Sequence, residues 1–405
     1  MTSTRNDHAI APSEFARIAV NLLTYARERN FEGVDPYDAL NSPFANLLTL
    51  GTKPGRIILT QLLRRSPINF RPILRVKPAA NPKALGLFLE GVVKLARLQR
   101  ERKLNVDLDL PEIARALVAR LLELRSPNAS GAAWGYNFPW QNRFQLLPPW
   151  TPTIVNVAFI AHALLDYFDA FQDSDALDLA RSSAEFILND LNRLDVADSE
   201  FCFSYTPLDE NYVHNANLLG ASLLLRLAVQ YDRPELYATA LAAYRYTLNR
   251  QREDGAWFYA ERREQHWIDS FHTGFNLEAI RRALELGALE EYRDAYHNGV
   301  RFYAYRFFEE NGRPNYYADR PYLVDVHAPM EALCFFAREK DYEALTLRVA
   351  NWTLENMLNR AQDGFYFRKS NFLTIKTRYM RWSQAWGFRA FAELASQALI
   401  KENEN

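Results

Sequence analysis

Two histidines and an aspartate fall within seven residues, His266-Trp267-Ile268-Asp269-Ser270-Phe271-His272, with Asn276 just beyond. Asp269 and His272 are three apart, so a helical first turn places them on one face. An imidazole oriented by a carboxylate is a common device for moving a proton. The plainer reading makes Asp269 an N-cap and His272 an ordinary polar residue. Three other stretches carry a similar mix: Glu210, Tyr212, His214, Asn215 and Asn217; then Tyr316, Tyr317, Asp319, Asp325 and His327; then Arg378, Tyr379, Arg381, Trp382 and Gln384. A capped turn explains the His214 group equally well, whereas His327 close behind Asp325 repeats the Asp269–His272 pattern. The segment Tyr136-Asn137-Phe138-Pro139-Trp140-Gln141-Asn142-Arg143, closed by Pro148-Pro149-Trp150, offers aromatic platforms, amides and a guanidinium, or else a plug packed on the fold.

The candidates for proton transfer are therefore His272, Asp269, His214, Tyr316 and His327. Those for substrate binding are Tyr136, Trp140, Arg143, Trp150, Tyr205, Glu210, Asn217, Trp257, Asp325, Arg378, Arg381 and Trp382. His162 and Asp166, at i and i+4, read as a satisfied buried pair. No metal and no cofactor is expected: there is no diagnostic ligand spacing, no Gly-rich phosphate loop and no Gly-x-Ser-x-Gly elbow.

The elements that must position these residues recur. Five aromatic segments, Trp134–Phe138, Phe201–Tyr205, Trp257–Tyr259, Asn315–Tyr317 and Phe365–Phe367, each lead into a polar helix start and a long apolar helix. The unit is roughly fifty to seventy residues long. Helices apolar nearly all round are expected at about 83–98, 153–170, 214–231, 270–286, 327–338 and 380–397. More amphipathic ones are expected near 111–125, 175–193, 234–250, 289–307 and 341–359. Residues 12–29 supply a sixth. Turn dipeptides at Asp254-Gly255 and Asp363-Gly364 punctuate the pattern. The economical fold is all-α, an (α/α)6 toroid over residues 81–405, with residues 1–80 forming an N-terminal helix and a basic strap packed on it. A solenoid that never closes is the alternative. In a toroid the inner helices run one way, so their N-termini meet at one mouth. Unpaired N–H groups there would suit an anionic ligand.

Of 405 residues, 48% are hydrophobic and 24% charged, an ordinary globular balance. A formal net charge of −1 argues against a nucleic-acid partner. Cys202 and Cys334 stand alone. Met1 to His8 do not form a charged-then-apolar leader, and Leu218 to Val229, read as the most apolar helix, is too short to span a bilayer. A cytoplasmic location is the expectation. The acid-free segment Lys53 to Lys77 suggests a peripheral contact with an anionic membrane or polymer, the alternative being a strap with solvated charges.

This repeat, with its aromatic-lined helix mouths between about residues 80 and 397, resembles the six-hairpin (α/α)6 toroid group of carbohydrate-active proteins. That group includes glycoside hydrolases, uronate lyases, sugar 2-epimerases and glucuronyl C5-epimerases. The run Arg65–Pro72, together with Trp134–Trp140, also resembles an uncharacterised family associated with surface-polysaccharide biosynthesis. Gln251-Arg252-Glu253-Asp254-Gly255-Ala256-Trp257 is similar to the Gln-and-Trp repeat of triterpene cyclases, but the Asp-rich protonating motif of those enzymes is absent. The resemblance implies an oligosaccharide or polysaccharide partner. Lyase or C5-epimerase chemistry on a uronate needs a cation on the carboxylate and a His or Tyr base for the C5 proton. Arg143, Arg378 and Arg381, with the histidines and tyrosines, fit that chemistry best. Hydrolysis by two carboxylates drawn from Glu210, Asp269, Asp319 and Asp325 is the second reading. A non-catalytic glycan-binding or scaffold protein is the third.

Overall fold

The computed structural model describes residues 11–197, 199–320, 323–360 and 364–401. Asp363 of the expected turn and the stretch Met1 to His8 lie outside them. The helices in chain order are α1 (Pro12–Arg27), α2 (Ala45–Thr49), α3 (Lys53–Arg65), α4 (Pro82–Arg100), α5 (Leu110–Glu123), α6 (Ile154–Phe171), α7 (Ser174–Asn189), α8 (His214–Gln230), α9 (Tyr237–Leu248), α10 (Ser270–Glu285), α11 (Arg293–Arg306), α12 (His327–Phe336), α13 (Glu343–Asn356) and α14 (Trp386–Lys401).

The helices buried on nearly every side are α4, α6, α8, α10, α12 and α14. Each packs on the next, and α14 packs on α4, so the ring closes and the open solenoid is excluded. Helices α5, α7, α9, α11 and α13 return the chain outside, while α1 lies against α14. The fold is an all-α (α/α)6 toroid. Helix α6, not Leu218–Val229, is the most apolar: it is long and apolar enough to cross a bilayer, yet 78% of it is buried inside the molecule.

The helix starts are stitched into a ring by the backbone. Ile154 N–H donates to Tyr205 O at 3.1 Å, His214 N–H to Tyr259 O at 3.1 Å, Ser270 N–H to Tyr316 O at 3.0 Å and Val326 N–H to Phe367 O at 3.0 Å. Each acceptor belongs to the aromatic segment of the following hairpin. The last helix closes the series onto the N-terminal strap, with Met380 N–H donating to Val34 O at 3.2 Å. Side chains take further N–H groups: Thr153 caps Asn156, Asn81 caps Lys83 and Asp269 caps His272. The expected collection of unpaired N–H groups is therefore largely consumed, because a buried backbone donor left without a partner is costly.

The sixth inner helix does not begin as regular α-helix. Met380–Ala385 forms a π-turn, in which Tyr379 O accepts from both Ser383 and Gln384. The wider turn lets Arg381 reach Asp35 and Trp382 reach Asp325, while Gln384 turns back to the Phe365 backbone.

Midway down the axis, Arg389 of α14 ties three inner helices together. Its guanidinium meets Glu90 of α4 and Glu278 of α10 at 2.7 Å each, and Glu331 of α12 at 3.4 Å. Burial raises the Glu90 carboxyl, but Arg389 and Lys94 outweigh it and hold the group at about 2. Glu331 goes the other way: burial and the neighbouring Glu278 push its carboxyl well up. Close by, Gly91 admits the Phe388 ring, which would lie 2.5 Å from a Cβ there. Removing one partner of a buried ion cluster costs about 3–5 kcal/mol. Arg389→Met should lower the unfolding free energy by about that much in urea titration, and a loss under 1 kcal/mol would show that the axial cluster does not hold the ring.

Candidate active site

Along the aromatic segments side chains alternate between two destinations. The leading tryptophans point outward and are structural: Trp134 donates to Leu121 O on α5 and Trp257 to Thr247 O on α9. Trp257 is thus a packing residue rather than a free platform. Two residues on, the tyrosines turn to the mouth. Tyr136 stacks on Phe138 and meets Trp140 edge-on, Trp140 approaches Tyr205, and Tyr259 stacks on Trp267 at 4.5 Å.

At the start of α10, Asp269 is buried and accepts three hydrogen bonds: from His272 N–H, from Trp267 Nε1 at 3.2 Å, and from or with His272 Nδ1 at 2.7 Å. It is at once the N-cap and the partner of the ring, so the two readings of its role coexist. The His272 ring lies between Tyr259 (4.8 Å) and Phe271 (4.1 Å), with its side chain partly exposed. With Nδ1 engaged by the carboxylate, Nε2 is the atom available for proton exchange. The adjoining cavity holds about 10 Å³, room for one water.

On the far side of Phe271 sits His327, stacked on that ring at 4.5 Å and edge-on to Trp382 at 4.6 Å. Neither of its ring nitrogens has a partner among the described residues. Burial, then Lys83 and Arg381, hold it well below the ordinary histidine range. Tyr316 is buried against Phe271 and Tyr317, and burial followed by Asp269 pushes its hydroxyl well up. His272, Asp269, His327 and Tyr316 therefore share one cluster at the mouth. His214 does not join it, because its ring is taken by Glu261 at 2.7 Å and Thr247 at 3.2 Å, tethering α8 to α9.

Several binding candidates are committed elsewhere. Asn217 is fully buried between Phe203 N–H and Ala243 O. Asp325 accepts from Arg368 at 2.6 Å and Trp382 Nε1 at 2.7 Å, across a strand pair that registers Arg368 with Asp325. Arg381 makes a two-point ion pair with Asp35 at 2.6 and 2.8 Å under the Tyr136 ring. Arg378 lies over Tyr25 of α1, away from the axis. Arg143 is exposed above Trp267, Trp150 donates its N–H to Tyr136 O, and Glu210 borders an open surface groove of about 450 Å³. Exposed Asp319 lies 3.8 Å from Arg320. His162 and Asp166 are not paired directly; Arg226 reaches both. Among the described residues no three metal-ligating side chains converge.

Sequence reasoning passed over three groups. Lys83, in the first turn of α4, is fully buried with Nζ 4.3 Å above Phe159 and 5.6 Å from Phe275 and Trp386. Burial, and then Arg381, push its amine well below the ordinary lysine range. A lysine in a run with no other charge before Glu90 was the available signal. Arg64 of α3 reaches down from the strap over Tyr37 at 4.8 Å and lies beside Tyr316. Asp35 and Asp38 of the strap engage Arg381 and Arg71, which anchors the strap across the mouth. Their partners lie far away in sequence, so no local pattern exposes them.

No protein-family model matches the sequence and no curated protein matches it. Solved structures do match in fold. A cellobiose 2-epimerase from Bacillus thermoamylovorans B4167 superposes with a TM-score of 0.60 at 13% identity, covering 79% of this chain and 90% of that one. A glycosyl hydrolase of family 88 from Bacteroides vulgatus gives 0.57 at 10% identity, covering 96% and 99%. A polysaccharide lyase gives 0.56 at 10% identity, covering 97% and 99%. At such identities the likeness is one of fold.

His327 is neutral when folded, while an unfolded histidine takes up a proton near pH ~6.5. Its folded pKa is the lower one, so stability is present above pH ~6.5 and is lost as pH falls below it, by about 1.4 kcal/mol per pH unit. His162 and His214 act in the same sense. His327→Phe should make the slope of unfolding free energy against pH shallower by about 1.4 kcal/mol per unit between about pH 6.5 and 5. An unchanged slope would mean that His327 is not buried neutral.

Proposed function

We propose that the protein is a carbohydrate-active enzyme that acts at the toroid mouth on an anionic, uronate-containing glycan, with His272 exchanging the C5 proton in an epimerase or lyase reaction. The observation that carries this is the 2.7 Å Asp269–His272 contact, which commits Nδ1 and leaves Nε2 as the available nitrogen of a partly exposed ring beside Tyr259. Epimerases and a lyase among the proteins of like fold favour it further.

The charges around the mouth decide between the chemistries. A hydrolase needs two carboxylates facing one bond, with one of them protonated. Here Asp35, Asp38 and Asp325 are each tied to an arginine and Asp269 to His272, which leaves of the expected carboxylates only Glu210, at an open surface groove, and exposed Asp319. Arg378 and Arg381, the guanidiniums expected to hold a substrate carboxylate, are engaged elsewhere. Lys83 and Arg64 make no ion pair among the described residues and are the cations left for that role: a uronate carboxylate brought to Lys83 would restore the charge that burial has cost it. Neutralising that carboxylate acidifies C5, Nε2 of His272 removes the proton, and Asp269 stabilises the imidazolium. Tyr316 or His327 stands as the second proton donor. The space at His272 is water-sized, so the segments that line it, Phe258–Tyr259 and Trp267–Ile268, must part to admit a sugar ring.

Incubation with uronate oligosaccharides in heavy water, read by mass spectrometry, tests this. Deuterium gained at C5, or a product lighter by water, is expected, with His272→Ala slowing the exchange about a hundredfold or more. Asp269→Asn should slow it in the same direction. Unchanged substrate masses would remove the proposal, and full exchange in folded His272→Ala would remove His272 from it.

A further inference from the structure

The strap between α1 and α4 has two unlike faces. Its inner side packs on itself and on the mouth: Leu59 and Leu63 are buried against Ala39, Leu40 and Leu74 of the strap, Arg71 binds Asp38 and Tyr379, and Arg64 reaches Tyr316. Its outer side is apolar. Leu47, Leu50, Ile58, Leu62, Ile68 and Ile73 are each 58–81% exposed. Ile58 and Leu62 are one turn apart on α3, opposite Leu59 and Leu63, so a single helix carries an inward and an outward apolar stripe. Exposed apolar side chains scattered singly need no explanation, but six in one strap mark an interaction surface.

The charge of the same segment is one-sided. From Ala39 to Leu89 the chain carries eight Lys or Arg residues and no Asp or Glu, leaving 40 basic against 49 acidic residues in the remainder. Lys53, Arg65, Arg75 and Lys77 are exposed among the apolar side chains. Long basic side chains can lay their stems along an apolar phase while the heads stay at its polar boundary.

We infer that the outer face of this strap docks onto an anionic lipid bilayer. The apolar side chains enter the headgroup–acyl boundary, and the exposed lysines and arginines meet the lipid phosphates. A second copy of this chain fits poorly, because two acid-free basic faces would be set against each other. An acidic polymer would satisfy the cations but offers no apolar phase for the six aliphatic side chains. Because the strap spans the mouth, docking turns the His272 end of the toroid toward the membrane.

Flotation of the full chain with phosphatidylcholine vesicles, and with vesicles of phosphatidylcholine and phosphatidylglycerol, reads this directly. Binding to the anionic vesicles is expected, falling as salt rises. The triple variant Leu47→Ser, Ile58→Ser, Leu62→Ser should weaken it about tenfold or more, as should the pair Arg65→Glu, Lys77→Glu. All five side chains are exposed, so unchanged melting curves will verify that both variants fold. No flotation with anionic vesicles, or equal flotation of wild type and both variants, overturns the inference. Self-association without lipid that the serine variant abolishes would assign the face to a second copy and overturn it too. None of these outcomes depends on catalysis at His272.

Discussion

One guanidinium organises the interior of the toroid. Six helices around an axis leave a centre that aliphatic side chains from one helix cannot span, and three of the helices direct carboxylates into it. Alone, Glu90, Glu278 and Glu331 would repel one another in a medium that screens poorly. Arg389 gives them a common partner, and the fixed fork of its donors sets where α4, α10 and α12 stand around α14. Glu331, the most weakly held of the three, is the one whose carboxyl is pushed well up. Such a cluster adds little net stability over an apolar core, yet it penalises any arrangement that leaves a member unpaired. Register, rather than raw stability, is what it supplies.

The mouth follows the same rule by other means. Every inner helix except α4, which opens on Pro82, gives an N–H at its start to the aromatic segment of its neighbour, and the strap serves as the neighbour of the last. Closure at the rim and closure at the axis are thus independent, one through backbone and one through charge. The consequence for chemistry is direct. A mouth stitched in this way cannot also offer a crown of free donors to an anion, which leaves Lys83 and Arg64 as the cations there without an ion pair among the described residues.

What could be read in advance tracks how local the physics is. Inner helices were legible because they are apolar all round, and their starts because aromatic segments and turn dipeptides punctuate them. The toroid followed from counting hairpins. The π-turn at Met380 was not legible, since it arises from Arg381 meeting Asp35, 346 positions away. The same distance hid the function of the strap, whose Asp35 and Asp38 read locally as loop acids. Among the site candidates, the Asp269–His272 spacing was informative because three residues of separation on a helix fix a contact by geometry. His214, Asn217 and Asp325 misled for a physical reason: capping a helix and tethering neighbouring elements call for the same residue types as binding a sugar. Lys83 was missed from the opposite side, since a lysine in a first turn looks solvated until the surrounding rings are known.

The strap joins these threads, because it is both wall and cover. It contributes Arg64 to the cluster around Tyr316, and its Asp35 holds the arginine that would otherwise compete for an anion. Asp38 anchors it through Arg71, which also reaches Tyr379 beside the π-turn. Displacing the strap therefore frees Arg381 and withdraws Arg64 together, since both contacts depend on the same segment. An opened mouth would carry a different distribution of positive charge from the closed one, with Arg381 released from Asp35 and Arg64 withdrawn from Tyr316. On the proposed reading, substrate charge and strap position are thereby coupled: a carboxylate that gains from Arg64 favours the closed strap, and a neutral sugar gains nothing from that closure.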